Sequence, residues 1–289
     1  MTTENHKLNP YNSINKLITN DEVLSLLNKY GLCEKIENQI IRDLSIYQRA
    51  FTHKSYIKKK NFNEINIEKK PDNCLELQEK SNEVLEFLGD AILSSVIAHY
   101  LVERFPDEEE GFLTRMRTKI VNGDSLGKLA LKMELNKYVI ISRHMEDKCN
   151  GRTNIKIMED VFESLIGAIY IDFTSIDIEN FKYDFYSGIG FQICQIFIIE
   201  IIEKYIDFTE LILTDHNYKE QLMKYMQNKF SIYPKYKQLG VEGASNNRLF
   251  TVGVLNNETI LAYGKAKTKK KAEQEASKNA LIKYNVINQ

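Results

Sequence analysis

Ser81-Asn82-Glu83-Val84-Leu85-Glu86-Phe87-Leu88-Gly89-Asp90-Ala91-Ile92-Leu93 sets three carboxylates into an otherwise apolar helical pattern. Glu83, Glu86 and Asp90 stand at i, i+3 and i+7, which puts them on one helical face. No Lys or Arg falls between Glu83 and Arg104. Acids gathered without counter-charges repel one another, and a hard divalent cation with oxygen ligands relieves that repulsion. The pattern predicts a helix capped by Ser81 or Asn82 that runs to about Glu103 and stops short of Pro106. Val84, Leu85, Phe87, Leu88, Ile92 and Leu93 are expected in the core.

A second acidic pair lies in a similar run, Glu159-Asp160-Val161-Phe162-Glu163-Ser164-Leu165-Ile166-Gly167-Ala168-Ile169-Tyr170-Ile171-Asp172. Asp160 and Glu163 stand at i, i+3. If the two helices pack through their apolar residues, Glu86, Asp90, Asp160 and Glu163 converge. Four carboxylates from two helices suit one or two Mg2+ ions, with Mn2+ as a substitute. Such a site activates water and stabilises the leaving oxygen of a phosphodiester. Lys156, one turn before Asp160, reads equally well as a charge partner for the site or as an ordinary surface lysine.

At these residues the chain resembles the ribonuclease III endonucleases. Asn82 to Leu93 is similar to the signature of that family, and Glu159 to Asp172 to its second acidic motif. Thr52-His53-Lys54-Ser55-Tyr56 and the stretch from Arg104 to Leu113 resemble two further family segments. The resemblance covers nearly the whole chain after about the first twenty residues. It implies that Glu86, Asp90, Asp160 and Glu163 are the metal ligands and catalytic acids. Glu83 and Glu110 match two further family acids, which either help form a dimer interface or order the site through the ligands. Glu159 falls where the family has a small residue and is read as a surface acid. His53 is read as structural. Gly89 permits close helix approach, which the resemblance would put at a two-fold axis. A homodimer with one site per strand is implied, acting on double-stranded RNA in RNA processing and leaving 5'-phosphate and 3'-hydroxyl ends with short 3' overhangs.

Composition agrees with a two-part protein. The net charge is −1 over 289 residues, but positions 215–289 hold 13 basic against 6 acidic residues, leaving the rest with an acid excess. An acidic body and a basic tail suggest metal chemistry in one part and polyanion binding in the other. Cys33, Cys74, Cys149 and Cys194 are widely spaced with no CxxC pair, which argues against zinc and against a disulfide framework. The first residues lack a signal-peptide apolar core, and the run Ile189–Ile202 is too short and too polar to span a bilayer. No membrane association and an intracellular location, cytoplasmic or nuclear, are expected.

Along the chain, 1–20 is expected to be a flexible segment and 21–208 an all-α endonuclease domain, with 57–80 a polar insertion or loop. Positions 209–286 read as a helix from Lys219, strands Lys235–Gly240, Leu249–Leu255 and Thr259–Gly264, and a last helix from Thr268 to Lys283. This α-β-β-β-α order resembles the double-stranded-RNA-binding domain, which recognises A-form geometry. Lys269, Lys270 and Lys271 open the last helix, beside the positive end of its dipole, where an anion is favoured. With Lys219 and Asn246 they form the expected RNA-binding set. Asn246 stands where the family has a histidine, while Met223 and Lys224 replace polar groups that read the minor groove. Binding is therefore expected to depend strongly on charge. Two other readings compete: a non-catalytic RNA-binding protein, and a helical nucleotide pyrophosphohydrolase, against which the C-terminal half argues.

Overall fold

Leu85, Gly89, Ile92, Leu93, Val96, Ile97, Tyr100 and Leu101 fall on one stripe of a single helix, Glu83–Arg104. Its apolar stripe is buried against a second helix, Ile155–Thr174, whose interior face runs from Ile157 to Phe173. The computed structural model describes residues 8–32, 41–58, 68–174, 189–213, 217–243, 248–256 and 258–287. Among these, the helices are α1 (Asn20–Lys29), α2 (Leu44–Ala50), α3 (Glu83–Arg104), α4 (Glu110–Ile120), α5 (Gly123–Lys132), α6 (Arg143–Cys149), α7 (Ile155–Thr174), α8 (Gly190–Tyr205), α9 (Phe208–Leu213), α10 (Tyr218–Phe230) and α11 (Lys269–Lys283). Three strands, β1 (Lys235–Glu242), β2 (Leu249–Asn256) and β3 (Thr259–Ala266), lie between α10 and α11. The chain divides into two compact units, Met1–Phe208 and Thr209–Gln289.

The first unit is helical and is built around α7. Helices α3, α5, α8 and α2 all pack on it. Gly89 explains how closely α3 can lie. A Cβ at Gly89 would fall 1.8 Å from the Glu163 carbonyl oxygen, and one at Gly167 would fall 2.3 Å from the Leu85 carbonyl oxygen. The two glycines thus let two backbones touch within one chain. At the far end of α7 the buried Asp172 accepts hydrogen bonds from the Arg42 and Asp43 amides, at 3.1 and 2.9 Å, and from the Tyr47 hydroxyl at 3.0 Å. That carboxylate fixes the start of α2 against α7.

Several expectations are corrected. Residues 8–19 are not a loose tail. Ile18 is buried, Asn15 donates to the Ile141 carbonyl at 2.9 Å, and the half-buried Arg152 joins Asn15, Glu146 and the Val139 carbonyl. Side-chain amides paired with otherwise unmet backbone groups outweigh the polar composition there; positions 1–7 lie outside the described residues. Neither Ser81 nor Asn82 caps α3 with its side chain. Asn82 already has helical dihedrals, which removes the extended geometry an N-cap needs, and the Ser81 hydroxyl bonds Glu83 instead. Val84 and Phe87 are not core: they are 64% and 81% exposed. They lie off the stripe that meets α7, so helical burial takes Leu85 and leaves its neighbours outside. Of the loop at 57–80, residues 68–80 are irregular but packed: Leu77 is buried beside Tyr56, whose hydroxyl donates to the Leu75 carbonyl.

Helix α3 is long and apolar enough by composition to cross a bilayer. Here its apolar stripe is the wall of a helical core, and its first two turns carry Glu83, Glu86 and Asp90. Cys74, Cys149 and Cys194 are free thiols; Cys33 lies outside the described residues.

In the second unit an antiparallel sheet in the order β1-β2-β3 is covered on one side by α10 and α11. Leu222 and Met226 of α10, Val254 of β2 and Ala276, Ala280 and Leu281 of α11 form its core. Strand alternation puts Val252 and Val254 inside and leaves Tyr263 and Lys265 outside.

The α3–α7 contact sets a first prediction. Gly89→Ala forces two backbones apart and should cost about 3 kcal/mol or more, the upper end of overpacking penalties, in urea unfolding. Gly111→Ala, whose Cβ would meet nothing nearer than an Arg115 nitrogen at 3.7 Å, should leave stability unchanged or raise it by up to about 1 kcal/mol through helix propensity. Equal stability of the two variants would refute this account of the crossing.

Candidate metal centre and nucleic-acid interface

The backbone contact between α3 and α7 carries the acids with it. Gly89 rests on the Glu163 carbonyl, and Gly167 rests on Leu85, the neighbour of Glu86. One carboxylate oxygen each of Glu86, Asp160 and Glu163 consequently lie within 4.8 Å of one another. Opposite ligands on Mg2+ stand about 4.2 Å apart, twice its bond length, so a small inward shift of these side chains would bring the oxygens within the span of a single ion. Glu163 is buried and the other two are half-buried. The donor set is hard oxygen throughout, as Mg2+ or Mn2+ requires.

Asp90 and the accessory acids are placed differently. Asp90, one turn beyond Glu86, is exposed and falls outside that close group, but its charge acts directly on Glu163. Glu83 is exposed and pairs with Lys54 at 3.0 Å. Glu110 opens α4, is exposed, and accepts from the Thr114 hydroxyl at 2.7 Å. The structure therefore brings together three of the four expected ligands, with the fourth beside them and Glu83 at the edge.

Electrostatics show the strain of this arrangement. Burial first, then the charges of Asp90 and Glu159, push the Glu163 carboxyl up to about 8. Burial and the Asp160 charge raise the Glu86 carboxyl. Asp160 Oδ1 is buried without a hydrogen bond of good geometry, although Lys156 Nζ stands 2.9 Å away. Proximity without alignment is an ion pair, so the two observations agree. Burial disfavours the Lys156 charge, but Asp160 and Glu159 outweigh it and hold the ammonium above its ordinary range. Thus a cation already attends the cluster, with Lys156 as a charge partner of Asp160. His53 is buried, with Nδ1 2.9 Å from the Ser55 hydroxyl, and is structural.

Sequence reasoning missed Glu159 and Lys54. Glu159 is not a surface acid: its side chain is 17% exposed and reaches Lys156 Nζ at 3.2 Å. The i, i+3 spacing of Lys156 and Glu159 was the available signal. Nothing local links Lys54 to Glu83, because only the tertiary fold joins them.

In the second unit Lys269, Lys270 and Lys271 are all exposed at the start of α11, which Thr268 caps through the Lys271 amide at 3.2 Å. Lys219 has another engagement: its Nζ is 2.6 Å from Glu273 and 4.5 Å from the centre of the Tyr236 ring. Lys224 pairs with Glu220 at 2.7 Å. Asn246 lies outside the described residues.

Residues 43–183 match the family model described as Ribonuclease-III-like, and residues 218–284 match the double-stranded RNA binding motif. The chain is 34% identical over 240 residues to ribonuclease 3 of Listeria welshimeri serovar 6b, covering 83% of this chain and 91% of that protein. The chain belongs to the ribonuclease III family. A second ribonuclease III relative, the probable ribonuclease 3 of Acanthamoeba polyphaga mimivirus, is 34% identical over 275 residues, which is 95% of this chain and 47% of that protein. The chain thus spans about half the length of the viral relative. The nuclease domain of ribonuclease III from Campylobacter jejuni superposes with a TM-score of 0.44 at 27% identity, over 64% of this chain and 98% of that one. An endonuclease domain of this family followed by a double-stranded-RNA-binding domain is the architecture of the chain.

The raised Glu163 pKa gives a signed prediction. Between the ordinary 4.5 and about 8 the folded state holds the Glu163 proton more tightly than the unfolded chain. Stability from this group is therefore highest at low pH and falls as pH rises through that window. Without metal, Glu163→Gln, which cannot ionise, should gain in Tm relative to the parent across it. A parent–variant difference that stays constant with pH would contradict this assignment.

Proposed function

We propose that the chain is a Mg2+-dependent endoribonuclease that cuts double-stranded RNA as a homodimer inside the cell, in cytoplasm or nucleus. Its products would be 5'-phosphate and 3'-hydroxyl ends with short 3' overhangs. The observation that carries this reading is the meeting of Glu86, Asp160 and Glu163 oxygens within 4.8 Å, from two helices, in a family of endoribonucleases.

Glu86, Asp90, Asp160 and Glu163 would hold the ion, with Mn2+ able to replace it. When bound, the metal would supply an activated water and charge compensation at the leaving oxygen. Glu163 would give up its proton as the ion binds, since a ligating carboxylate must be ionised. Lys156 would turn its ammonium from Asp160 toward the phosphate. Glu83, held by Lys54, would border the site. The exposed Val84 and Phe87 on α3 would be covered by the same surface patch of a second copy, because an isologous interface uses one self-complementary patch on both subunits. Lys269, Lys270 and Lys271 would meet RNA phosphates, whereas Lys219 would support Tyr236 and Glu273 beneath them.

Three measurements test the reading: cleavage of long duplex RNA, mass in solution and salt-dependent binding. The parent should cut with Mg2+, and Asp160→Asn or Asp90→Asn should lower the rate by about 100-fold or more, as loss of transition-state charge stabilisation does. Phe87→Asp should shift the mass in solution from dimer to monomer. Replacing the three lysines with Ala should weaken binding and reduce the slope of log affinity against log salt by up to about one per lysine. Binding without cleavage by the parent would point to a non-catalytic RNA-binding protein, and nucleotide hydrolysis without RNA cleavage to a pyrophosphohydrolase.

A further inference from the structure

Glu159 belongs to no ligand set, yet its carboxylate is mostly withdrawn from solvent. Gly123, at the start of α5, makes the room: a Cβ there would lie 2.6 Å from Glu159 Oε2, and the nearest atoms it would meet all belong to the Glu159 carboxylate. The carboxylate therefore lies against the Gly123 backbone and also pairs with Lys156, whose Nζ is 3.2 Å from Oε2. Lys156 itself is a long side chain, 65% exposed, whose Nζ is shared between Glu159 and Asp160.

That sharing has a consequence once a divalent ion draws on Asp160. The ion and the ammonium compete for the same carboxylate, and the ion carries the greater charge. Without a second partner, a flexible exposed lysine gains rotamer freedom by leaving for solvent. We propose that Glu159 is a positioning residue that keeps Lys156 Nζ at the rim of the acid cluster, beside the place where a phosphate would bind. Glu159 does not touch substrate; it acts through Lys156. The inference rests on the endonuclease reading and adds to it a residue that the ligand pattern does not contain.

The test is steady-state cleavage of duplex RNA at saturating Mg2+ by the parent, Lys156→Ala, Glu159→Ala, Glu159→Gln and the Lys156→Ala/Glu159→Ala double variant. Glu159→Ala should lower kcat by about tenfold to about 100-fold, the range for a misplaced catalytic group, with KM for RNA unchanged. Glu159→Gln keeps an oxygen that accepts from the ammonium and should recover part of the loss. In the double variant the Glu159 change should add nothing to Lys156→Ala, because its effect passes through that lysine. A parental kcat for Glu159→Ala, or losses that multiply in the double variant, would overturn the inference alone. A parent that does not cut duplex RNA would overturn the endonuclease reading, and the inference with it.

Discussion

Two helices touch backbone to backbone where Gly89 meets the Glu163 carbonyl and Gly167 meets the Leu85 carbonyl. The contact is reciprocal, and each glycine rests on a candidate ligand or on a candidate ligand's neighbour. Packing and site formation are thus one event. Any side chain at either glycine would widen the crossing and pull Glu86 away from Asp160 and Glu163. A mid-helix glycine costs about 1 kcal/mol of helix propensity, and here the close crossing offsets it.

The same contact creates an electrostatic load. It buries Glu163 and sets Glu86 and Asp160 beside it, with Asp90 and Glu159 close enough to act on the same carboxyl. Charge of one sign held in a half-buried pocket must be compensated by a proton, an ammonium or a metal. Burial and its acidic neighbours favour a proton on Glu163 above the usual carboxylate range, and Lys156 bridges Asp160 and Glu159. A divalent ion would displace the Glu163 proton and draw Asp160 away from the ammonium, leaving Lys156 its contact with Glu159.

The second unit shows how composition alone can mislead about contacts. Its basic excess includes Lys219 and Lys224, yet these ammonium groups are committed to Glu273 and Glu220 within the domain. The exposed lysines at the start of α11 sit where backbone amides and helix dipole add to their charge, a geometry that favours an anion.

Much was legible in the chain itself. Apolar spacing located α3, α7 and the α-β-β-β-α order, because helices and strands have fixed periods that sequence must obey. The i, i+3 placement of Asp160 and Glu163 was likewise local, and so was the unbroken acidity of α3. Tertiary structure decided the remainder. It chose which side of α3 is buried, leaving Val84 and Phe87 in solvent although they share the helix with Leu85. It made Gly89 a point of contact within one chain, drew residues 8–19 onto Arg152 and Ile141, and brought Lys54 to Glu83. Those outcomes depend on neighbours far away along the chain, and periodicity records a residue's own helix but not what that helix meets.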